Sequence, residues 1–181
     1  MYASAGAPAG PGLFCYIDQL QQGSSGLSHD QREHLRHQIV HDLSVHSLSE
    51  KEVLYPALKS AFGKDLRDHV LDEHTSLKVI LTDIDKMGAD DPAFQPRLKE
   101  LNHELCHHVR EEEENVLPKL AARLARDELS ALGDKFEKTK GHVPTRPHTM
   151  APDKPVTGNV VADRVTAPLD KMRDAAAGRD V

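Results

Sequence analysis

The chain has 181 residues, enough for one domain with a short appendage, and its aromatic content is only 4% with no tryptophan, so a core must be built from aliphatic side chains. That composition favours helices over a β-sandwich, and no apolar run approaches the roughly 20 residues needed to cross a bilayer. Lys and Arg total 23 against 29 Asp and Glu, a formal charge of -6 with no basic cluster to track phosphates, which argues against a nucleic-acid partner.

Residues 1–12, MYASAGAPAGPG, are small and carry no helix signal, so a disordered segment is expected there. A short apolar-periodic stretch from Leu13 to Gln22 then stops at GSSG. The run from Ser28 to Phe62 reads as one long helix closed by Gly63, with a kink expected at Pro56. A third helix is expected over 65–87, a fourth over 93–125 with Pro118 inside it, and a shorter fifth over 127–140. Beyond Gly141, HVPTRPHTMAPDKPVTG holds four prolines, which predicts an extended, mostly disordered tail. Val161, Val165, Leu169 and Met172 are spaced to allow a weak terminal helix. The expected division is therefore a disordered segment over 1–12, a helical bundle over 13–140 and a Pro-rich tail over 141–181.

Two cysteines, Cys15 and Cys106, form neither a disulfide framework nor a thiolate cluster, and no secretory leader pattern opens the chain. The expected location is cytoplasmic. Histidine is the anomaly: there are twelve, most of them among acidic residues. Imidazole with carboxylate is the ligand set that suits iron, zinc or manganese.

The apolar stripes show where these residues fall. In the second helix the stripe runs Leu35, Ile39, Leu43, His46, Glu50, Val53 or Leu54, Ala57, so two consecutive core positions are polar. In the third it runs Leu66, Val70, His74, Leu77, Leu81, Ile84, and in the fourth Leu98, Leu101, Leu105, His108, Glu112, Val116, Leu120. Burying such groups unpaired costs on the order of 2–7 kcal/mol each. A metal shared between helices removes that cost.

A duplication sharpens the pattern. His46, Glu50, Glu52, Pro56 and Leu58 recur as His108, Glu112, Glu114, Pro118 and Leu120 at a constant offset of 62 residues. Within each copy, His and Glu four apart lie about 40° apart around the helix and roughly 6 Å along it, so both reach one point. Two such modules face to face supply two imidazoles and two carboxylates, as in bundle-core dinuclear sites. The order is His-x-x-x-Glu, however, whereas ferritin-like carboxylate proteins use Glu-x-x-His.

These two modules, the Glu73-His74 pair on the intervening helix and the segment Pro144 to His148 (PTRPH) resemble a bacterial hemerythrin-like protein, the HHE cation-binding domain, over about residues 13–148. The resemblance implies an all-α, antiparallel four-helix bundle with a shortened first helix and an extra C-terminal helix. It also implies a non-haem di-iron centre held by His46, Glu50, His74, His108 and Glu112. Oxygen, peroxide or nitric oxide is the implied small ligand. The chain departs from the family at two places. A first-helix histidine is expected about six residues before Leu13-Phe14, where Ala7 stands, as though the start were truncated or replaced; Lys78 stands where oxygen carriers have a further histidine. Oxygen carriage in fixed stoichiometry is thus the less favoured activity.

Off the stripes, His29, His34, His37, His41, His69, His103 and His107 read as surface residues. Glu73 is an outside candidate, Glu111 an alternative to Glu112, and Cys15 or Asp18 a makeshift first-helix ligand. Glu52 and Glu114 are expected to face solvent. The leading expectation is a di-iron protein that senses, stores or detoxifies a small oxidant or nitric oxide, with binding favoured over turnover. A peroxide-consuming or iron-oxidising enzyme, and a metal-free helical interaction module, are the alternatives.

Overall fold

The structure is a computed structural model that describes residues 12–23, 26–147 and Met172. The expected disorder of residues 1–11 and the expected terminal helix therefore lie, Met172 apart, outside the described residues, as does His148 of the PTRPH segment. Six α-helices and one π-helical turn make up the regular structure of the described residues: α1 (Leu13–Gln22), α2 (His29–Phe62), α3 (Lys64–Lys86), α4 (Phe94–Glu111), a π turn (Glu112–Val116), α5 (Leu117–Arg123) and α6 (Arg126–Lys140).

The ends of the long helices follow from local chemistry. Ser28 caps α2 by accepting from the Gln31 N–H while the Gln31 side chain returns to the Ser28 N–H, a reciprocal box that satisfies two end donors. Gly63 alone separates α2 from α3. Its φ of 84° and ψ of -160° lie in a region open essentially to glycine, and that backbone reverses the chain within one residue. Pro56 sits inside α2 without ending it.

Helices α1 to α4 close a ring in which α1 packs on α2 and α4, and α3 packs on α2 and α4. The short connections make neighbours antiparallel. Helix α6 adds a fifth element against α2. One apolar cluster joins α1, the first half of α2, the second half of α3 and the first half of α4, around Ile17, Ile39, Leu43, Ile84, Phe94 and Leu101. A second joins Leu54, Tyr55, Leu58, Val70, Leu71, Val116 and Leu120. Each long helix passes from one cluster to the other across a polar layer: Leu43 to Leu54, Leu71 to Leu77, Leu105 to Val116.

Two polar features tie the ends of the bundle. Arg36, buried against the last turn of α3, donates to the Ile84 and Asp85 carbonyls and is held by Glu33, whose other oxygen accepts from the Ala89 N–H. After α6 the described residues 141–147 turn back onto the bundle: Val143, Pro144 and Thr145 are buried, and Arg146 reaches the Asp85 carboxylate at 2.9 Å. This stretch is thus a packed strap where an extended tail was expected. Proline forbids a helix here but not burial.

The fourth expected helix, 93–125, is interrupted by the π turn. There the Leu117 N–H bonds the Glu112 carbonyl five residues back. Steps of four residues drift about 40° per step on an α-helix, so a stripe at 108, 112, 116 and 120 would leave the core. The wider turn takes back part of that drift, and all four residues are buried.

Candidate metal centre

The polar layer between the two apolar clusters contains His46, Glu50, His74, His108 and Glu112, with Glu50, His74, His108 and Glu112 buried and His46 half-buried. One ligand atom from each of His46, Glu50, His108 and Glu112 lies within 4.8 Å of the others. His46 Nε2 is 2.8 Å from Glu50 Oε1, His74 Nε2 is 3.0 Å from Glu50 Oε2, and His108 Nε2 is 3.8 Å from Glu112 Oε2. His74 Nε2 and His108 Nε2 are 2.9 Å apart. Five residues expected from the stripes are therefore brought to one place by α2, α3, α4 and the π turn.

Two further residues hold the imidazoles. Tyr55 Oη contacts His74 Nδ1, and Glu73 Oε2 lies 3.2 Å from His108 Nδ1. One proton arrangement satisfies the row: Tyr55 donates to His74, His74 donates to His108, and His108 donates to Glu73. The last bond leaves His108 Nε2 unprotonated: it accepts from His74 in this arrangement, and it becomes a lone pair for a metal once His74 carries its own proton on Nδ1, toward Tyr55. Burial and the adjacent His74 push the His108 ring down to about 3, so it is neutral near pH 7. Sequence reasoning placed Glu73 beside the stripe and overlooked Tyr55, which stands next to the stripe residue Leu54 and offers no periodic signal.

The carboxyls are unequal. Burial alone would raise Glu50, but the His46 and His74 rings outweigh it and hold the group well below the usual range. Glu112 is pushed up to about 9 by burial, by the negative charge of Glu50 and by its hydrogen bond to Glu50. Two buried carboxylates side by side cannot both ionise without a cation. Glu50 Oε2, which approaches His74 without hydrogen-bond alignment, and Glu112 Oε1 are buried without a hydrogen-bond partner. Unsatisfied buried acceptors of this kind cost free energy that a cation between them removes. The donor set of nitrogens and carboxylate oxygens thus fits a metal ion.

The other expected positions are sorted by the fold. Glu111 turns outward, accepting from Asn115 and facing His69, so Glu112 rather than Glu111 enters the layer. Cys15 and Asp18 are exposed on α1, Cys15 receiving a hydrogen bond from Gln19. His29, His34, His69, His103 and His107 are exposed, whereas His37 and His41 are half-buried, His37 beside Arg36. Glu114 faces solvent as expected; Glu52 is half-buried. On the α6 side, Phe136 sits edge-on to His46 at 5.8 Å, and Glu50, Glu112, Val53, Leu117, Leu132 and Phe136 border a pocket of about 340 Å³, mouth included.

The fold and this layer define a helical bundle with a histidine and carboxylate cluster able to hold metal. Residues 13–120 match the hemerythrin HHE cation binding domain, and the chain belongs to that family. It is 34% identical over 157 residues to an uncharacterized hemerythrin-like protein of Schizosaccharomyces pombe, covering 85% of this chain and 77% of that one. It is also 28% identical over 109 residues to a DNA nickase of Nostoc sp., covering 60% of this chain but only 31% of the nickase. The first of these relatives is fungal, so the comparisons show membership of the HHE family without assigning the chain to a bacterial branch of it. No solved structure matches the chain significantly. Among the described residues no helix is long and apolar enough to cross a membrane.

Proposed function

We propose that the chain is a non-haem di-iron protein that binds oxygen, peroxide or nitric oxide for sensing, storage or detoxification. The observation that carries this reading is the convergence of two His-x-x-x-Glu pairs on one buried point, with two carboxylate oxygens there lacking any hydrogen-bond partner. His46, Glu50, His74, His108 and Glu112 would hold the metal, Glu50 and Glu112 serving both ions. Iron in such a set supplies one-electron redox chemistry and open positions for a small ligand.

The protein's own residues prepare the place. Glu73 and Tyr55 orient His108 and His74, and the buried Leu54, Val116 and Leu120 exclude water from beneath. The pocket walled by Leu117, Leu132 and Phe136 lies beside Glu50 and Glu112 and would admit a diatomic molecule or peroxide. Three imidazoles serving two ions leave coordination open, which favours binding a small ligand over the fixed stoichiometry of a carrier.

The test is iron content and the charge-transfer absorption of a coupled ferric pair in aerobically purified, iron-replete protein. Two irons per chain are expected, lost in Glu50→Ala and Glu112→Ala and retained in Glu52→Ala. Absence of iron in the parent chain, or equal loss in all three variants, overturns the reading.

A further inference from the structure

An ion bound for the buried layer has to pass the helices that enclose it, and the sides of the layer differ in what they present. On the seam of α3 and α4 the ion would meet the back of an imidazole, where His108 Nδ1 faces Glu73 Oε2 at 3.2 Å. Toward the cluster around Leu58 and Val70, His74 Nδ1 is likewise taken up by Tyr55 Oη. The Nε2 atoms point away from these partners, that of His74 to Glu50 at 3.0 Å and that of His108 toward Glu112 at 3.8 Å. Both carboxyls border the pocket that Leu132 and Phe136 of α6 wall off. The ligand atoms therefore face α6. His46 marks the same side, because 15% of its side chain is exposed against 7% or less for the other four, and Phe136 sits edge-on to it at 5.8 Å.

Helix α6 is held lightly where it covers the layer. Of its fifteen residues Phe136 alone is buried, whereas α1, with ten residues, buries Leu13, Ile17 and Leu20. Leu129 and Leu132 are half-buried, and the helix packs chiefly on α2. Its N-terminal end hangs on two extended residues, Leu124 and Ala125, with ψ of 147° and 158°. Beyond its other end the chain is fastened by Arg146 to Asp85, so α6 can lift without leaving the bundle. An element with so few buried apolar contacts opens at a lower free energy than the helices of the core.

We infer that α6 is a gate over the layer, that a divalent transition-metal ion enters and leaves beneath it, and that Phe136 is the latch that closes it on His46. The inference rests on the metal-binding reading of the layer, though not on iron or on a pair of ions. A latch has a kinetic signature. Removing it favours the open form of the empty and of the loaded chain alike, so uptake and release both quicken while their ratio, the affinity, stays the same. A residue that only propped His46 in place would instead quicken release and weaken binding.

The test is stopped-flow uptake of cobalt(II) by the full chain, read by visible absorption, followed by release into excess chelator. Phe136→Ala is expected to speed both steps about tenfold or more, since it deletes the buried contact that holds the gate, with helix content by circular dichroism as in the parent. Phe136→Leu, which keeps an apolar latch, should fall between the two. His107→Ala, which thins the α3 and α4 seam, should leave both rates unchanged. In the metal-free chain, amide exchange around Leu132 and Phe136 should run ahead of exchange around Val53 and Leu58 on α2. Faster release without faster uptake in Phe136→Ala, acceleration by His107→Ala instead, or exchange in α6 no faster than in α2 overturns the gate. A parent that takes up cobalt but forms no coupled ferric pair with iron refutes the proposed function and leaves these rates to decide the gate; a parent that takes up no cobalt overturns both.

Discussion

At the residue scale, the layer depends on groups that never need to touch metal. Tyr55 and Glu73 fix the His74 and His108 rings, and removing such outer partners typically weakens metal affinity about 10–100-fold. Tyr55→Phe, which keeps the ring and its burial, is expected to lower iron affinity by that factor, as read by competition against a chelator, and to cost the metal-free chain about 1–3 kcal/mol for the hydrogen bond lost at His74. The proton on Glu112 gives a second expectation. Its folded value of about 9 stands above the ordinary 4.5, so the metal-free fold is favoured by this group below about 4.5 and loses that advantage as pH rises towards 9. A cation must displace the proton. Metal affinity should therefore rise with pH between about 6 and 9, and loading at pH 7 should release close to one proton from Glu112, measurable by calorimetry in two buffers of different ionisation enthalpy. A pH-independent affinity would contradict this. His46, Glu50, His74, His108 and Glu112 were legible in the sequence because each interrupts an apolar stripe. Tyr55 was not, because an aromatic residue beside a stripe reads as ordinary core.

At the scale of elements, most helices lie within a residue or two of their expected ends because caps and breakers are local: Ser28 and Gln31 open α2, and Gly63 closes it. The π turn was illegible, since it answers a tertiary demand, keeping 108, 112, 116 and 120 on one face, rather than any local propensity. The packed strap was also missed. Composition reported its prolines but not that Asp85 would stand opposite Arg146. Gly63 offers a clean test of the reversal between α2 and α3. A Cβ there meets nothing within 4 Å, so Gly63→Ala should destabilise the chain through backbone conformation alone, by about 1–3 kcal/mol, as measured by denaturant unfolding. A neutral result would mean that the helix junction relaxes at no cost.

At the scale of the whole molecule, the bundle is two apolar cores held apart by a charged floor. Hydrogen exchange should reveal this arrangement: in the metal-free chain, amides around Ile39, Ile84 and Leu101 are expected to stay protected longer than those around Leu58, Val70 and Leu120, and iron should narrow the gap. Uniform protection without metal would show that the layer does not divide the bundle. The strap from Gly141 to Pro147 has a consequence for that hierarchy. It leaves α6, which covers His46 in the layer and packs Leu129 and Leu132 on the upper core, the cluster around Leu58 and Val70, and fastens through Arg146 to Asp85 at the far end of α3, beside the Arg36 anchor of the lower core. It thus crosses the floor from outside, and the two halves are joined by a segment that is covalent at α6, ion-paired at Asp85, and does not pass through the polar layer. When the upper core opens, the ends of its covering helix stay on a leash, so re-closure is a short intramolecular search rather than a refolding event.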